Sequence, residues 1–278
     1  MKPLIGPFEV PIFRIPMPDF MPMDELAIHG FGILVAIGFL LGGQVAMKAA
    51  ERRGLDPEVI NRLIGWLIVG TFVGGHVGYG LMYKPDEYLA DPIQFLYMWQ
   101  GLSSYGGFVV CVPLAIWFFK REKVPLWPYV DSVSIGLTLG WFFGRMGCFV
   151  AHDHPGGPTD FALGVYGICL NEASSVACHD MGLYEALWSF TMFGIFMAMD
   201  RVPRTPGLYA GILCAAYAPV RFGMDFLRPL NHDPRYLGLT PAQWWSVAFL
   251  LLGLWVIYTR MKTGDKSPWG PVASETPE

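Results

Sequence analysis

Long apolar segments constrain the fold of this chain more than any other feature of its sequence. Seven of them occur, and an α-helix needs roughly 20 such residues to cross the hydrocarbon of a bilayer. They lie near Leu26–Ala46, Leu63–Tyr83, Gly106–Phe119, Val130–Phe143, Gly182–Met199, Gly207–Phe226 and Pro241–Tyr258. Charged residues make up 15% of the chain, whereas a typical soluble domain has about 25%. The sequence therefore predicts an all-α integral membrane protein with seven transmembrane helices.

The lysines and arginines indicate the orientation of these helices. Of the 19 in the chain, 12 fall in the connections after the first, third and fifth segments and in the C-terminal tail. They are Lys48, Arg52, Arg53, Arg62, Lys120, Arg121, Lys123, Arg201, Arg204, Arg260, Lys262 and Lys266. Because positively charged connections stay in the cytoplasm, we expect the N-terminus outside and the C-terminus in the cytoplasm.

One membrane domain is expected, residues 26–260, with a shorter segment at either end. Residues 1–25 are a Pro-rich arm that we expect to lie along the outer interface, and residues 261–278 are expected to form a disordered cytoplasmic tail. Residues 151–180 form an external polar loop that contains Cys169 and Cys178. An oxidising compartment would let these two cysteines pair, and two free thiols are the alternative.

Arg145 stands where the fourth apolar segment ends, in the stretch Gly144–Gly157. A guanidinium keeps its proton in a protein, and holding it near hydrocarbon costs about 3 kcal/mol on insertion scales. A chain retains such a group for an anionic partner, and lipid phosphate is the commonest anion at that depth. The Gly-rich stretches 101–107 and 144–147 also indicate an internal site, because interrupted spans are tolerated only where protein or a cavity covers the backbone.

Arg221, Asp225 and Arg228 are spaced i, i+4 and i+7, which places them on one face of an otherwise apolar helix. An internal salt bridge is the structural alternative, but it would leave one positive charge unpaired. With Arg145 added, the cations outnumber the nearby acids, and a bound phosphate would restore the balance. Bidentate contacts between arginine and phosphate are strong and geometrically selective. We therefore favour phosphate binding.

Histidines mark two further candidate sites. His76 shares a helical face with Tyr79 and lies in a glycine-rich stretch that another helix can approach closely. It is either a packing residue or a functional one. The stretch from Cys148 to His154 contains metal-ligand types, but adjacent His–Asp–His side chains on a loop point in divergent directions. We expect no metal ion and no cofactor, and the small, dispersed net charge of −4 argues against a nucleic-acid partner.

Five stretches together resemble the prolipoprotein diacylglyceryl transferases, which are bacterial inner-membrane enzymes with seven spans and an outside N-terminus. In chain order the stretches are HGFGILVAIGF, GGHVGYGLMYKPDEYLADP, WQGLSSYGG, GRMGCFVAHDHPGG and RFGMDFLRPLNHD. The fourth is similar to the family's most specific signature, GRxGNFxNGExxGR. Each match is weak by itself, but five in the right order are specific.

The resemblance implies an activity and its partners. The family transfers the diacylglyceryl group of phosphatidylglycerol to the lipobox cysteine of a prolipoprotein, so that a thioether forms and glycerol phosphate leaves. The implied partners are phosphatidylglycerol, the lipobox segment of the signal peptide and membrane lipid. The resemblance also implies a multi-pass protein of the bacterial inner membrane.

The site residues follow from the same resemblance. The catalytic candidates are Arg145, Arg221, Asp153, Tyr105 and Asp225. The substrate-binding candidates are Arg145, Gly147, Cys148, Gly156, Arg221, Arg228, His76 and Gly106. Arg145, Gly147, Gly156, Arg221 and Arg228 match the family pattern, whereas the family has histidine at Tyr105, asparagine at Cys148, glutamate at Asp153 and Asp225, and arginine at His76.

These departures leave three hypotheses open, since they affect proton transfer more than phosphate binding. The chain is a standard transferase, a divergent paralogue that uses another lipid donor or acceptor, or a non-catalytic phospholipid-binding membrane protein. Tyr105 is a poor base because the ordinary tyrosine pKa is near 10. Asp153, His152, His154 and His76 are the alternative proton acceptors, and the sequence does not choose among them.

Overall fold

The computed structural model describes residues 3–8, 10, 12–16, 25–97, 101, 104–169, 173–229 and 235–264. Its helices are α1 (Gly30–Arg52), α2 (Pro57–Tyr83), α3 (Pro85–Ala90), α4 (Ser104–Glu122), α5 (Leu126–Ala151), α6 (Met181–Met199), α7 (Leu208–Met224) and α8 (Pro241–Thr263). Short 3₁₀ turns cover Pro92–Leu96 and Asp225–Leu227. The strands are β1 (Phe13–Pro16), β2 (Glu25–Ile28), β3 (Pro155–Pro158), β4 (Val165–Tyr166) and β5 (Ala177–Asp180).

Six of the described helices, α1, α2, α5, α6, α7 and α8, are long and apolar enough to cross a membrane. Large apolar side chains on them face outward, and Leu40 and Leu251 are 66% and 63% exposed. Apolar surface of this extent is expected against lipid rather than water. The predicted membrane class is therefore confirmed. The seventh expected span, Gly106–Phe119, lies within the 19-residue α4, which is not among those six, so the count of seven stays a prediction.

The ends of the predicted spans were less accurate than their positions. α5 was expected over Val130–Phe143, but it begins at Leu126 and continues to Ala151. Arg145 is therefore inside a helix, and the backbone at Gly144 and Gly147 is helical rather than interrupted. Glycine costs about 1 kcal/mol in a helix, and close packing offsets this at Gly147, where an added Cβ would lie 2.9 Å from the Phe31 ring.

Two helices also begin at residues other than those expected. α1 begins at Gly30 because the residues just before it pair as β2 with β1. α2 begins at Pro57, six residues before the expected start. The Asp56 side chain accepts a hydrogen bond from the Glu58 backbone N–H at 2.9 Å, and proline suits the first helical position. Local capping therefore extends this helix beyond its apolar core.

Two small antiparallel sheets modify the all-α expectation. β1 pairs with β2, with Phe13 opposite Ile28, and the loop after α5 forms the order β3-β5-β4. Cys169 and Cys178 form a disulfide within this loop, as the paired alternative predicted. The N-terminal arm contacts the loop through a bridge between Ile5 and Val165. The arm's expected position at the membrane interface stays a prediction.

The C-terminal prediction is partly wrong. α8 continues to Thr263, so the first residues of the expected tail, 261–263, are helical. Residues 265–278 lie outside the described part of the chain.

Glycines determine which helices lie against each other. An added Cβ at Gly42 of α1 would lie 2.8 Å from the Gly136 oxygen of α5, and one at Gly74 of α2 would lie 2.7 Å from the Gly106 oxygen of α4. Small residues at such contacts let the backbones of membrane helices approach closely. The prediction that a helix approaches the glycine-rich stretch near His76 is confirmed, and α4 is that helix.

The candidate residues collect at one end of the helical bundle. α5 ends there, α6 begins after the loop, α7 ends in its 3₁₀ turn and α8 starts at the Thr240 N-cap. At the other end, Arg52 and Arg53 of α1 both pair with Asp200, which follows α6. The two ends are thus held by separate polar clusters, and the candidate site belongs to the end that carries the loop.

Candidate functional site

Arg145 is held by a buried carboxylate that was not among the candidates from the sequence. Its Nε lies 2.8 Å from Oε2 of Glu185 on α6, and the Tyr217 hydroxyl of α7 donates to the same oxygen at 3.1 Å. Glu185 is 2% exposed. It is an ionisable residue in an apolar segment, so the rule that singled out Arg145 applies to it equally. The arginine is therefore fixed by two neighbouring helices.

Asp225 holds the second group of cations. Its Oδ1 is 2.7 Å from Nη1 of Arg221 and 3.8 Å from Nε of Arg228. Thr240 donates a hydrogen bond to Oδ2. Because α7 ends at Met224, Arg228 follows the 3₁₀ turn instead of lying on one continuous helical face as predicted. The three side chains nevertheless converge through Asp225.

The predicted excess of positive charge is wrong for the described residues. Arg145, Arg221 and Arg228 are accompanied by Glu185, Asp225 and Asp153, so three cations face three carboxylates. Phosphate binding thus rests on hydrogen-bond donors rather than on an unpaired charge. Arg145 uses Nε toward Glu185 and Nη1 toward Cys148 Sγ at 3.8 Å, and a guanidinium has five N–H donors.

The two arginine groups lie close to each other. Burial lowers the pKa of His154, the Asp153 carboxylate opposes this shift, and Arg145 and Arg228 lower that pKa further. Glu185 likewise lies within electrostatic range of Arg221 as well as Arg145. His154 is therefore flanked by both groups. Because the lowered pKa keeps its imidazole neutral near pH 7, it adds no third positive charge there.

Gly156 allows the loop to reach the arginines. An added Cβ there would lie 2.8 Å from the Leu227 carbonyl oxygen and 2.8 Å from His179 Cβ. Only a glycine permits β3 to pass so close to the 3₁₀ turn that precedes Arg228. This contact brings the preceding residues, Asp153 and His154, beside the end of α7. The resemblance selected Gly156, and the geometry gives it a positioning role.

Cys148, Asp153 and His154 converge, contrary to the expectation that neighbouring loop side chains diverge. One donor atom from each lies within 4.8 Å of the other two. His152 ends α5 in the left-handed conformation with φ 51°, which reverses the chain so that the next two residues return toward Cys148. The expected divergence holds for His152 itself, whose Nε2 lies 3.2 Å from the Phe8 carbonyl oxygen.

Two other sequence candidates, His76 and Gly106, are not brought to the arginines by any contact among the described residues, and the side chain of a third, Tyr105, lies outside them. His76 is fully buried, with Nδ1 3.1 Å from the Gly101 oxygen and Nε2 3.0 Å from the Gln94 oxygen. Gly106 lies against α2, since an added Cβ would be 2.7 Å from Gly78 Cα. Tyr105 is in the first turn of α4, and its side chain is not among those described.

Comparison with known proteins covers nearly the whole chain. The model of the family Prolipoprotein diacylglyceryl transferase matches residues 18–259. The phosphatidylglycerol--prolipoprotein diacylglyceryl transferase of Tolumonas auensis is 31% identical over 245 residues, covering 85% of this chain and 93% of the relative. A protein of the same name from Phenylobacterium zucineum is 32% identical over 279 residues, covering 89% and 95%. The residues that the family model matches include the arginine groups, Glu185 and the loop after α5, and the chain belongs to the prolipoprotein diacylglyceryl transferase family.

Proposed function

We propose that this chain transfers the diacylglyceryl group of phosphatidylglycerol to the lipobox cysteine thiol of a prolipoprotein. Its relatives are named for this reaction. The convergence of the Arg145 and Arg221 groups around His154 and Glu185 at the end of the bundle is the observation that carries the proposal. Buried guanidiniums at that position suit a phosphodiester headgroup, whose acyl chains extend along the lipid-facing helices.

The arginines have a direct role in the chemistry. The leaving phosphate gains negative charge as its bond to the glyceryl carbon breaks. Fixed guanidiniums stabilise that charge in a water-poor site without reorganisation. Arg145 is prearranged by Glu185, and Arg221 by Asp225. We assign both arginines to the departing phosphate and Asp225 to their orientation.

The remaining candidates have supporting roles in this proposal. Gly147 and Gly156 give α1 and the loop their close approach, and Arg228 adds positive charge beside Arg221. The part of the site formed by α2 and α4 contains Tyr105, His76 and Gly106. A phenol such as that of Tyr105 donates a hydrogen bond to phosphate better than it accepts a proton. Asp153 lies beside the arginines and takes part in activating the acceptor thiol.

The proposal includes seven spans with the N-terminus outside, in the bacterial inner membrane. α4 supplies the seventh span, since its 19 residues approach the roughly 20 required. The disulfide between Cys169 and Cys178 supports an external loop, because such bonds persist in oxidising compartments. This orientation puts the arginine groups at the outer leaflet.

Complementation tests the function. The chain is expressed in bacteria depleted of their own transferase, and thioether lipidation of a lipoprotein is measured by mass spectrometry. We expect the unsubstituted chain to restore lipidation and Arg145→Ala to reduce the rate at least about 100-fold, the typical cost of one transition-state donor. Arg121→Ala, which changes an exposed arginine on α4, is the control and should retain activity. A well-folded but inactive chain would reject the standard reaction.

A divergent donor or acceptor is the second candidate, and the replacements at Tyr105 and Cys148 favour it. Lipid and protein mass spectrometry of a deletion strain would reveal a changed species other than the lipobox thioether. Binding of phosphatidylglycerol that Arg145→Ala abolishes, with no turnover of any donor, would instead identify a non-catalytic binder.

A further inference from the structure

The cluster of Cys148, Asp153 and His154 contains three chemically different donors in a small volume. A thiol, a carboxylate and an imidazole each contribute one atom, and these atoms lie within 4.8 Å of one another. The backbone supports this arrangement from two sides. Cys148 is on the last turns of α5, and the His154 carbonyl accepts a hydrogen bond from the Met181 N–H at 3.1 Å.

This donor set suits a zinc ion better than the other common metals. Zinc binds cysteine thiolate, histidine nitrogen and carboxylate oxygen, and its catalytic sites combine three protein ligands with one open position. Calcium and magnesium prefer oxygen donors alone. Cys148 is 8% exposed, whereas the side chains of Asp153 and His154 are 43% and 36% exposed. The open position therefore faces the accessible side of the cluster.

The surrounding charges can accommodate such an ion. Among the described residues, the three arginines are matched by Glu185, Asp225 and Asp153. A divalent cation bound with the Cys148 thiolate would add one net positive charge, and a phosphodiester headgroup would neutralise it. Arg145 Nη1, 3.8 Å from Cys148 Sγ, supplies an outer hydrogen bond to the sulfur.

We propose that Cys148, Asp153 and His154 bind a zinc ion, and that the acceptor thiol of the reaction takes its fourth position. The role in catalysis rests on the proposed function, whereas the metal site itself does not. A zinc-bound thiol is deprotonated outright, and the thiolate is the nucleophile. The ion thus supplies the thiol activation for which Tyr105, in place of the family's histidine, is poorly suited.

The bonds and charges of the step balance. The substrate thiol displaces water from the zinc and releases its proton to that water. The zinc-bound sulfur then attacks the glyceryl carbon that carries the phosphate, so the C–S bond forms as the C–O bond breaks. The electron pair of the C–O bond leaves with the phosphate oxygen beside Arg145 and Arg221, and glycerol phosphate takes up a proton from water.

Metal analysis of the purified full-length protein tests the site. Chelator-treated protein is reloaded with zinc chloride or cobalt chloride, and bound metal is measured by mass spectrometry. We expect about one zinc per chain and, with cobalt, a thiolate-to-metal charge-transfer band and the visible bands of a tetrahedral ion. Cys148→Ser, Asp153→Asn and His154→Gln should each lower metal retention at least tenfold. Cys214→Ser, which changes a cysteine outside the cluster, is the matched control that should retain it.

The outcomes separate the metal site from the function. The proposal is overturned if the unsubstituted protein binds no stoichiometric metal, or if its cobalt complex has no sulfur ligand. Both measurements use the unsubstituted protein, so they hold even if a variant fails to fold. Full thioether transfer by the chelated protein also overturns the role of zinc while the proposed function stands. Transfer that chelation lowers at least tenfold and zinc restores supports both. Stoichiometric zinc held by the three residues without any transfer supports the site and rejects the function.

Discussion

Glu185 illustrates how much a single buried side chain determines at this site. It is the described acceptor for both Arg145 and Tyr217, and it lies on a third helix between them. A carboxylate in that environment is stable only because its partners compensate for the lost hydration. Removing the acceptor would leave a guanidinium and a phenol without the oxygen that orients them.

We therefore predict that Glu185→Ala destabilises the protein by about 3 kcal/mol, the cost of breaking a buried ion pair. Glu185→Gln keeps an acceptor oxygen and should cost less. The free energy of unfolding in detergent measures both. Glu87→Ala is the control, since Glu87 pairs with Lys84 in an exposed bridge, and such pairs contribute at most about 1 kcal/mol. Equal losses for the buried and exposed pairs would contradict this account.

A second prediction at the residue scale concerns His179 and the pH dependence of the protein's folding stability. Burial lowers the pKa of His179, whose Nδ1 lies 2.8 Å from the Tyr184 hydroxyl. The unfolded chain therefore binds a proton at higher pH than the folded chain does. Above about pH 6.5 the histidine is neutral in both states, so stability is lost as the pH falls below that value.

Thermal unfolding of the unsubstituted protein and His179→Gln at a series of pH values provides the measurement. The variant should lose less stability between pH 7 and pH 5 than the parent. Other histidines with lowered pKa, such as His154, contribute equally to both proteins, so the difference isolates His179. Parallel pH profiles would show that this side chain does not contribute.

Some candidate site residues can be identified from the sequence because the cost of placing them in an apolar segment is visible locally. Arg145 and Arg221 are charges in apolar segments, and this alone indicates a polar site. Glu185 is also a charge in an apolar segment, so the same argument identifies it from the sequence. The convergence of Cys148 with Asp153 cannot be identified in this way, because it depends on the left-handed turn at His152 and on the close contact at Gly156.

At the scale of elements, glycines that contact a neighbouring helix differ from glycines that do not. On α5, an added Cβ at Gly136 would lie 2.7 Å from Ala46 Cβ and 2.9 Å from the Ala46 backbone nitrogen of α1. At Gly144, on the same helix, nothing lies within 4 Å. Sequence alone gives both positions the same low helix propensity.

This contrast predicts opposite effects of one substitution. Gly136→Ala should lower the unfolding midpoint, because the α1 backbone must move away from α5. Gly144→Ala should be neutral or should stabilise by up to about 1 kcal/mol, since alanine is the better helix former. Thermal unfolding of both variants in the same detergent compares them directly. A loss at Gly144 as large as that at Gly136 would show that helix packing is not the cause.

The helices themselves were predictable from hydropathy, but several of their ends were not. Apolar length indicates where a helix crosses a bilayer and carries no information on polar turns added at either end. α2 gains its first turns from the Asp56 cap, and α5 gains its last turns through packing at Gly147. The β1–β2 pairing replaced the expected start of α1, because strand pairing depends on a partner distant in sequence.

At the scale of the whole molecule, the two ends of the bundle carry different polar groups. One end carries the disulfide loop, the arm and the arginine groups, and the other holds the Arg52–Arg53–Asp200 cluster and most of the exposed cations. Composition and the distribution of lysine and arginine predicted the membrane class and this polarity. They did not predict that α1 packs on α5 and α2 on α4, since glycine contacts decide that pairing.

The polarity of the molecule leads to a topology prediction that single cysteines can test. Asp160 in the loop and Glu58 in the first turn of α2 are both exposed and fall at opposite ends of the bundle. With the N-terminus outside, Asp160→Cys should react with a membrane-impermeant maleimide in cells whose inner membrane is intact, and Glu58→Cys should react only after that membrane is permeabilised. The unsubstituted chain gives the background from its own cysteines. Labelling of Glu58→Cys in intact cells, with Asp160→Cys protected, would invert the topology and put the arginine groups at the cytoplasmic leaflet. That inversion would also place the Cys169–Cys178 disulfide in the cytoplasm, where such bonds are rare because thiols are kept reduced.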